Sequence, residues 1–194
     1  MGEINVRPLR ADAHRNRERL LEVARRSFAS DGDKVTLELI ARQAGVGIGT
    51  LYRHFPTREA LVVAVHEAEL SKLCAGAGEL LAVERPDTAL RSWMDRFADY
   101  LTAKREMADA LRAVIASGAI TWSRSRAQMS TAVQTLLDAG AAVGSLRGDV
   151  RAEDVVASMV GIFLACGKPE QRSQAARLLD LLMDGLRPGD ARQG

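Results

Sequence analysis

Residues 35–61, VTLELIARQAGVGIGTLYRHFPTREAL, contain the pattern that decides the fold of this chain. From Leu37 to Ala44 the apolar side chains recur at helical spacing, and Thr36 stands before them as a predicted N-cap. Gly45 ends this helix, and a second short helix of under two turns is predicted over residues 47–54. Two short helices joined by a tight turn form a helix-turn-helix, a geometry that places its second helix in the major groove of DNA.

The outward face of the second short helix fits contact with DNA. Leu51 and Phe55 turn inward at positions i and i+4, which leaves a polar face outside. Hydroxyl and imidazole groups donate to phosphate oxygens, a guanidinium contacts a phosphate or a guanine edge, and glycine lets the backbone approach the strand. Two glycines in so short a helix cost on the order of 1 kcal/mol each relative to Ala, and close approach is one reason for them. The candidate DNA-binding residues of this helix are Gly47, Ile48, Gly49, Thr50, Tyr52, Arg53 and His54.

The same stretch, from Val35 to Leu61, resembles the tetracycline-repressor (TetR) family of bacterial transcriptional regulators. The resemblance covers residues 12–65, about a third of the chain. It implies an all-α homodimer with an N-terminal three-helix DNA-binding head and a C-terminal body that binds a small molecule.

The resemblance also implies roles for individual residues. Thr36, besides capping its helix, would bond a phosphate through its hydroxyl and backbone. Thr50, Tyr52 and His54 would contact the DNA backbone or base edges from the recognition helix. Arg58, at the start of the fourth helix, would hold a further phosphate. The alternative for Tyr52 and His54 is an ordinary exposed Tyr and a His at a helix C-terminus.

The sequence departs from the family pattern at Gly47 and Ile48, where the family often has Ser and a basic or polar residue. An apolar side chain at this place can instead touch the methyl group of a thymine. We therefore expect Ile48 to contact bases through its apolar surface.

Apolar spacing is helical almost everywhere, and no alternating run rich in Val, Ile and Thr lies between paired turn signals. The chain is therefore predicted to be all-α, with about nine helices. The first is predicted over residues 12–30, and Thr57 is the predicted N-cap of the fourth. We expect a helix-turn-helix DNA-binding domain over residues 1–58 and a helical effector-binding and dimerisation domain over residues 59–194.

The C-terminal part offers a dimerisation surface and a candidate ligand site. The resemblance implies that the last two helices, residues 152–166 and 171–186, pair with their symmetry mates as a four-helix interface, and their apolar stripes fit this use. An aromatic set in the body fits an apolar effector pocket, with packing in an ordinary core as the alternative. Its candidate ligand-binding members are Trp93, Phe97, Tyr100 and Trp122.

The sequence lacks the motifs that are typical of metal-binding proteins, nucleotide-binding proteins and enzymes. The three His and two Cys residues have no partner spacing typical of a metal site, and the Gly45-x-Gly47-x-Gly49 run lacks the strand and the Lys of a nucleotide-binding loop. No nucleophile elbow or paired-carboxylate arrangement stands out. We therefore expect no metal, no cofactor and no enzymatic activity. The longest apolar stretches are about five residues, against roughly 18 for a membrane span, and no secretory signal is visible, so a cytoplasmic protein is expected.

Charge is divided unevenly along the 194 residues, whose total is +2. Residues 1–58 carry 11 Lys and Arg against 7 Asp and Glu, and residues 59–194 carry 16 against 18. The predicted DNA-binding domain thus has a net charge of +4 and the rest of the chain a net charge of −2, and this distribution steers the DNA-binding domain toward phosphates. A run of arginines near the N-terminus forms either a solvated basic face or, before Asp12, a disordered arm that reaches toward the minor groove. These are Arg7, Arg10, Arg15, Arg17 and Arg19.

Together these features predict a sequence-specific transcriptional regulator, a dimeric repressor that a small-molecule effector releases from double-stranded operator DNA. The alternatives are a ligand-independent regulator and a helical interaction protein that retains a DNA-binding head. An enzyme would need a catalytic constellation in residues 87–187, where none is found. A sequence-indifferent architectural DNA binder would carry a larger positive charge.

Overall fold

The structure, a computed structural model, describes residues 6–31, 34–166 and 169–189. Across these ranges the backbone forms nine α-helices and no β-strand, which confirms the predicted all-α class. The helices are α1 (Val6–Asp31), α2 (Leu37–Ala44), α3 (Ile48–His54), α4 (Arg58–Leu81), α5 (Pro86–Glu106), α6 (Ala108–Ala116), α7 (Trp122–Ala142), α8 (Ala152–Ala165) and α9 (Arg172–Leu186). Pro169–Gln171 form a single turn of 3₁₀ helix before α9.

The first of two compact units contains Met1–Glu69 and Ala103–Ile120. The apolar stripe of α1 packs against α2, α3, the first part of α4 and α6. Fully buried members of this core are Leu20, Phe28, Ile40, Leu51 and Leu61. Met107, Leu111 and Val114 belong to the same core, so the compact unit extends beyond residue 58 and includes α6. The division of function at residue 58 remains a prediction.

The second compact unit contains Leu70–Thr102 and Thr121–Gly194. Its core joins the second part of α4, most of α5, α7, α8 and α9. Trp93 and Phe97 stack with their ring centroids 6.0 Å apart, and Phe163 lies 5.7 Å from Phe97. The Trp93 indole N–H donates to the carbonyl of Leu73 at 2.9 Å, so its one polar atom is satisfied inside the core.

α1 begins earlier than the sequence pattern predicts. Its backbone is helical from Val6, whereas the apolar stripe that predicts a helix starts near Asp12. The proposed N-terminal arm therefore does not apply to residues 6–11, which are helix. Its remainder, residues 1–5, and the side chains of Arg7 and Arg10 lie outside the described residues.

Candidate DNA-binding site

The helix-turn-helix starts at Thr36, whose side chain caps α2. Its hydroxyl oxygen accepts a hydrogen bond from the Leu39 amide at 3.2 Å, which confirms the predicted N-cap. Leu37 and Ile40 are buried on the inner face of α2, whereas Thr36 and Glu38 are exposed. This end of the helix, with its amides and the positive end of its dipole, faces solvent.

The turn after α2 depends on Gly45. This residue has φ 64° and ψ 31°, a left-handed conformation that a side chain disfavours. Its amide donates to the carbonyl of Arg42 at 3.1 Å, and the amide of Val46 donates to that of Ala41 at 2.9 Å. These two bonds form a Schellman motif, which ends α2 and fixes the direction in which the chain enters α3.

α3 is a seven-residue helix held by one buried side chain and the residue that follows it. Leu51 has no exposed surface, and Phe55 is 3% exposed. Gly47 is the N-cap, so α3 begins at Ile48, one residue later than predicted. All seven candidate DNA-binding residues of this segment therefore lie on its outer face or at its edge. Gly47, Ile48, Gly49, Tyr52 and Arg53 are exposed, and Thr50 and His54 are half-buried.

Arg58, at the first position of α4, is anchored within the head. Its Nε donates to the carbonyl of Val35 at 3.4 Å, and its guanidinium carbon lies 5.0 Å from the centre of the Phe28 ring. Arg17 lies in the same way over Phe55, at 5.6 Å. Both guanidinium groups are thus positioned by aromatic rings of the core. Arg58 has a structural role in addition to any contact with a phosphate.

Two candidate DNA-binding groups are bonded within α3 itself. The Arg53 guanidinium donates to the carbonyl of Gly49 at 3.1 Å and to the hydroxyl of Thr50 at 3.0 Å. The side chain therefore lies back along its own helix, beside the bare backbone at Gly49. Its extension toward DNA would release both bonds.

Glu38 connects the two helices of the motif. Its carboxylate accepts the Tyr52 hydroxyl at 3.1 Å and also interacts with its own backbone amide and with the Thr36 side chain. These hydrogen bonds, the backbone one first and then that from Tyr52, hold the pKa of Glu38 below its usual value. The same contact with Glu38 raises the pKa of Tyr52. Thr36 and Tyr52, which lie 16 positions apart in sequence, therefore meet at one carboxylate.

The aromatic candidates for ligand binding fall into two environments of the second unit. Trp93, Phe97 and Tyr100 are between 0 and 7% exposed and follow one another along the buried face of α5. Trp122 is 44% exposed at the start of α7. It lines an open groove of about 730 Å³ formed by α7 and the start of α8. The groove is lined by Trp122, Ser123, Arg126, Ala127, Ser130, Thr131, Gln134, Thr135, Asp138, Ala152 and Glu153.

The described part of the chain contains neither a metal-binding cluster nor a membrane-spanning helix. No group of three His, Cys, Asp or Glu side chains is placed there to hold a metal ion. None of the helices found there is both long enough and apolar enough to cross a bilayer.

Comparison with known proteins identifies the family. Residues 20–65 match the family model of bacterial regulatory proteins of the tetR family, and residues 85–188 match that of the C-terminal domain of SbtR-like transcriptional regulators. The chain belongs to the TetR family. Its members are DNA-binding transcriptional regulators rather than enzymes.

Solved structures of TetR regulators match over nearly the whole chain. One from Streptomyces coelicolor is 51% identical with a TM-score of 0.79, and the match covers 90% of this chain and 99% of that one. One from Mycobacterium vanbaalenii is 36% identical with a TM-score of 0.71 and coverage of 93% and 100%. An HTH-type transcriptional regulator of Staphylococcus aureus is 38% identical over 63 residues, which are 32% of this chain and about a third (34%) of that protein. The similarity to the two solved TetR structures thus extends through head and body, whereas that to the Staphylococcus aureus regulator is confined to 63 residues.

Sequence reasoning missed Glu38 and Arg17 as parts of the site. Nothing in a linear pattern links Glu38 to Tyr52, 14 residues later, so the sequence gives no signal for this contact. The sequence predicts a solvated basic face that includes Arg17, whereas its guanidinium lies over the Phe55 ring. In this TetR head, both contacts depend on how α1, α2 and α3 pack.

Proposed function

We propose that this TetR-family regulator is a dimeric repressor that binds operator DNA through α3 and dissociates when a small molecule binds to its C-terminal body. The observation that carries the proposal is the outer face of α3, where polar groups are fixed by the buried Leu51 and Phe55. We further propose that residues 1–58 act as the DNA-binding domain and residues 59–194 as the effector-binding and dimerisation domain. The repressor would act in the cytoplasm, where its DNA is.

The contacts divide between phosphates and bases. Thr36 and Arg58 hold phosphates at two helix N-termini, where backbone amides and the helix dipole favour anions. Thr50, Tyr52 and His54 donate to the backbone or base edges from α3. The guanidinium of Arg53 has the geometry for a phosphate or a guanine edge. Ile48, which is 41% exposed, offers apolar surface to a thymine methyl, and Gly47 and Gly49 permit close approach of the strand.

A fluorescence-anisotropy titration tests the DNA-binding part. The probe is a labelled duplex from the region upstream of the protein's own gene, and an unlabelled duplex of shuffled sequence is the competitor. We expect saturable binding that weakens with salt and that the shuffled duplex displaces poorly. If the shuffled duplex displaced the probe as well as an unlabelled copy of the probe does, sequence specificity would be contradicted. A lack of salt-dependent binding would contradict the proposal as a whole.

The last two helices support the dimer part of the proposal. Leu164 on α8 is 79% exposed and Leu181 on the neighbouring α9 is 66% exposed, and apolar surface exposed on adjacent helices is typical of a protein–protein interface. Gly161 and Gly185 lie on the same two helices, and a Cβ at either would meet no described atom within 4 Å. Bare helix surface of this kind permits close packing of a second copy about a two-fold axis.

Sedimentation velocity tests the interface. Leu181→Glu places a charge on the proposed contact, and we expect it to produce monomers. Leu182, the position that the apolar period also suggests, is packed against the core and would be a poorer choice, since its replacement disturbs the fold. Val83→Glu is the matched control, because Val83 is 80% exposed in the second unit but not on α8 or α9. A dimeric Leu181→Glu variant would contradict the assignment.

The groove beside Trp122 supports an effector site in the body. Its volume of about 730 Å³ fits a small organic molecule, and an indole ring together with several polar groups lines it. The hydroxyl of Ser130, within the described residues, is buried without a hydrogen-bond partner, and Ser130 lines this groove. We place the effector here in preference to the packed aromatic rings of α5. The coupling to DNA binding would be of the usual size, about 1–3 kcal/mol.

A further inference from the structure

The environment of the Glu38 carboxylate resembles a phosphate-binding site. It lies in the first turn of α2, an eight-residue helix, where it accepts the Tyr52 hydroxyl and interacts with the Thr36 side chain and the amide of its own residue. A helix N-terminus with backbone amides and hydroxyl donors is the usual way in which proteins bind a phosphate. Here an anion of the chain itself is bound by these donors.

The same donors are those that the proposed function assigns to DNA. Thr36 and Tyr52 cannot direct their hydroxyl protons to a phosphate and to Glu38 at once, because each hydroxyl has a single proton to donate. A phosphate at this helix end also lies within a few ångströms of the carboxylate, and two anions at that distance repel each other. DNA binding therefore requires the Glu38 side chain to leave.

We propose that Glu38 is an internal competitor for the DNA phosphate at the start of α2 and thereby limits the affinity of the head for all DNA. This inference rests on the proposed DNA-binding function. Displacement of the carboxylate by a phosphate involves no base, so the cost is the same for every sequence. Glu38 lowers operator and non-operator affinity by one factor and leaves their ratio unchanged.

The test is a gain of binding, which a misfolded variant cannot imitate. Glu38→Ala removes the competitor, and Glu38→Gln keeps its shape without its charge. We expect Glu38→Gln to bind both an operator duplex and a shuffled duplex roughly three- to tenfold more tightly than wild type, and Glu38→Ala at least as tightly as Glu38→Gln. The slope of log K against log salt should steepen by up to about one unit, since a negative charge no longer lies beside the bound phosphate.

Two further variants isolate the cause. Glu67→Gln removes one negative charge from an exposed site on α4 in the same unit, and its affinity should stay within about twofold of wild type. In a Tyr52→Phe background the gain from Glu38→Ala should shrink, because one of the released donors is absent. An equal gain in Glu67→Gln would mean that only net charge matters and would overturn the proposal.

The remaining outcomes also decide the matter. If neither Glu38 variant gains affinity for either duplex while wild type binds its operator, Glu38 is not a competitor and the proposed function still stands. A loss confined to the operator duplex would make Glu38 a base-contacting residue, which accepts from a cytosine amino group, and would overturn the inference. Wild-type protein that binds neither duplex would refute the proposed function itself.

Discussion

Gly49 offers a test in which stability and DNA binding should change in opposite directions. It is the second residue of α3, it is exposed, and a Cβ built on it meets no described atom within 4 Å. Its φ lies outside the left-handed region, so Ala fits its backbone. If the protein alone determined this position, Ala would be preferred.

The stability gain of Gly49→Ala follows from helix propensity. Ala is favoured over Gly by about 0.5–1 kcal/mol inside a helix, and the lower value applies because the position is in the first turn. For a chain of this size, about 0.5 kcal/mol raises the Tm by roughly 1–2 °C. Circular dichroism melts measure this shift.

The binding loss of Gly49→Ala follows from the proposed close approach to DNA. A methyl group between the α3 backbone and a sugar-phosphate strand would break about one charge-assisted hydrogen bond, worth about 1.5–3 kcal/mol. The Kd for an operator duplex should therefore rise roughly ten- to a hundredfold, as measured by fluorescence anisotropy.

Gly78→Ala is the matched control for this variant. Gly78 is an exposed glycine inside α4, also with no described atom within 4 Å of a built Cβ. It should gain about 1 kcal/mol of stability and keep its DNA affinity, because it lies in the second unit. The reasoning is refuted if Gly49→Ala binds as tightly as wild type, or if both variants lose affinity equally.

Three further substitutions test other parts of the molecule. Arg58→Ala should reduce the salt slope of DNA binding by about one unit and also destabilise the head by about 1 kcal/mol, since it loses the Phe28 stacking and the bond to Val35; an unchanged slope in a salt titration would remove the phosphate contact. Burial, with a smaller effect of Lys104, lowers the pKa of His66 to about 4. His66 is therefore protonated near pH 6.5 in the unfolded chain but only near pH 4 in the folded chain. The free energy of unfolding should fall as the pH drops from about 6.5 to about 4. His66→Gln should lose this part of the pH dependence in urea melts, and a pH profile identical to wild type would argue against it. Trp122→Phe should abolish the change in tryptophan emission on effector binding in a small-molecule screen, because the buried Trp93 is the only other tryptophan; a full response in the variant would place the ligand near Trp93.

The sequence predicts the helices well because each has its own local signals. These signals lie within a few residues of the helix ends that they mark. They are the Thr36 cap, the left-handed Gly45 and the Thr57 hydroxyl, which accepts the Ala60 amide at 3.1 Å. α8 and α9 lie within one residue of the predicted ranges at either end, since their apolar period is uninterrupted. The start of α1 was missed because residues 6–11 carry no apolar stripe that a periodicity argument could use.

The site was less predictable, because its contacts cross between helices. Helical spacing showed that Trp93, Phe97 and Tyr100 point to one side of α5, but spacing cannot show whether that side meets a cavity or packed atoms. The same limit applies to α6. Leu111 and Val114, with Met107 just before the helix, join the core of the first unit, although the preceding buried residue of that core, Val65, lies 42 positions before Met107.

The arginines of the head differ in what holds their guanidinium groups before DNA binds. Its net charge of +4 counts every arginine equally, yet Arg58 lies over Phe28 and Arg53 lies back on Gly49 and Thr50. An anchored guanidinium loses little side-chain entropy when it meets a phosphate, whereas Arg53 must first give up two hydrogen bonds. We therefore expect Arg58 to contribute to binding on every duplex, and Arg53 to contribute most where a guanine edge replaces both bonds that it releases. Affinity and specificity would then reside in different arginines of the same head.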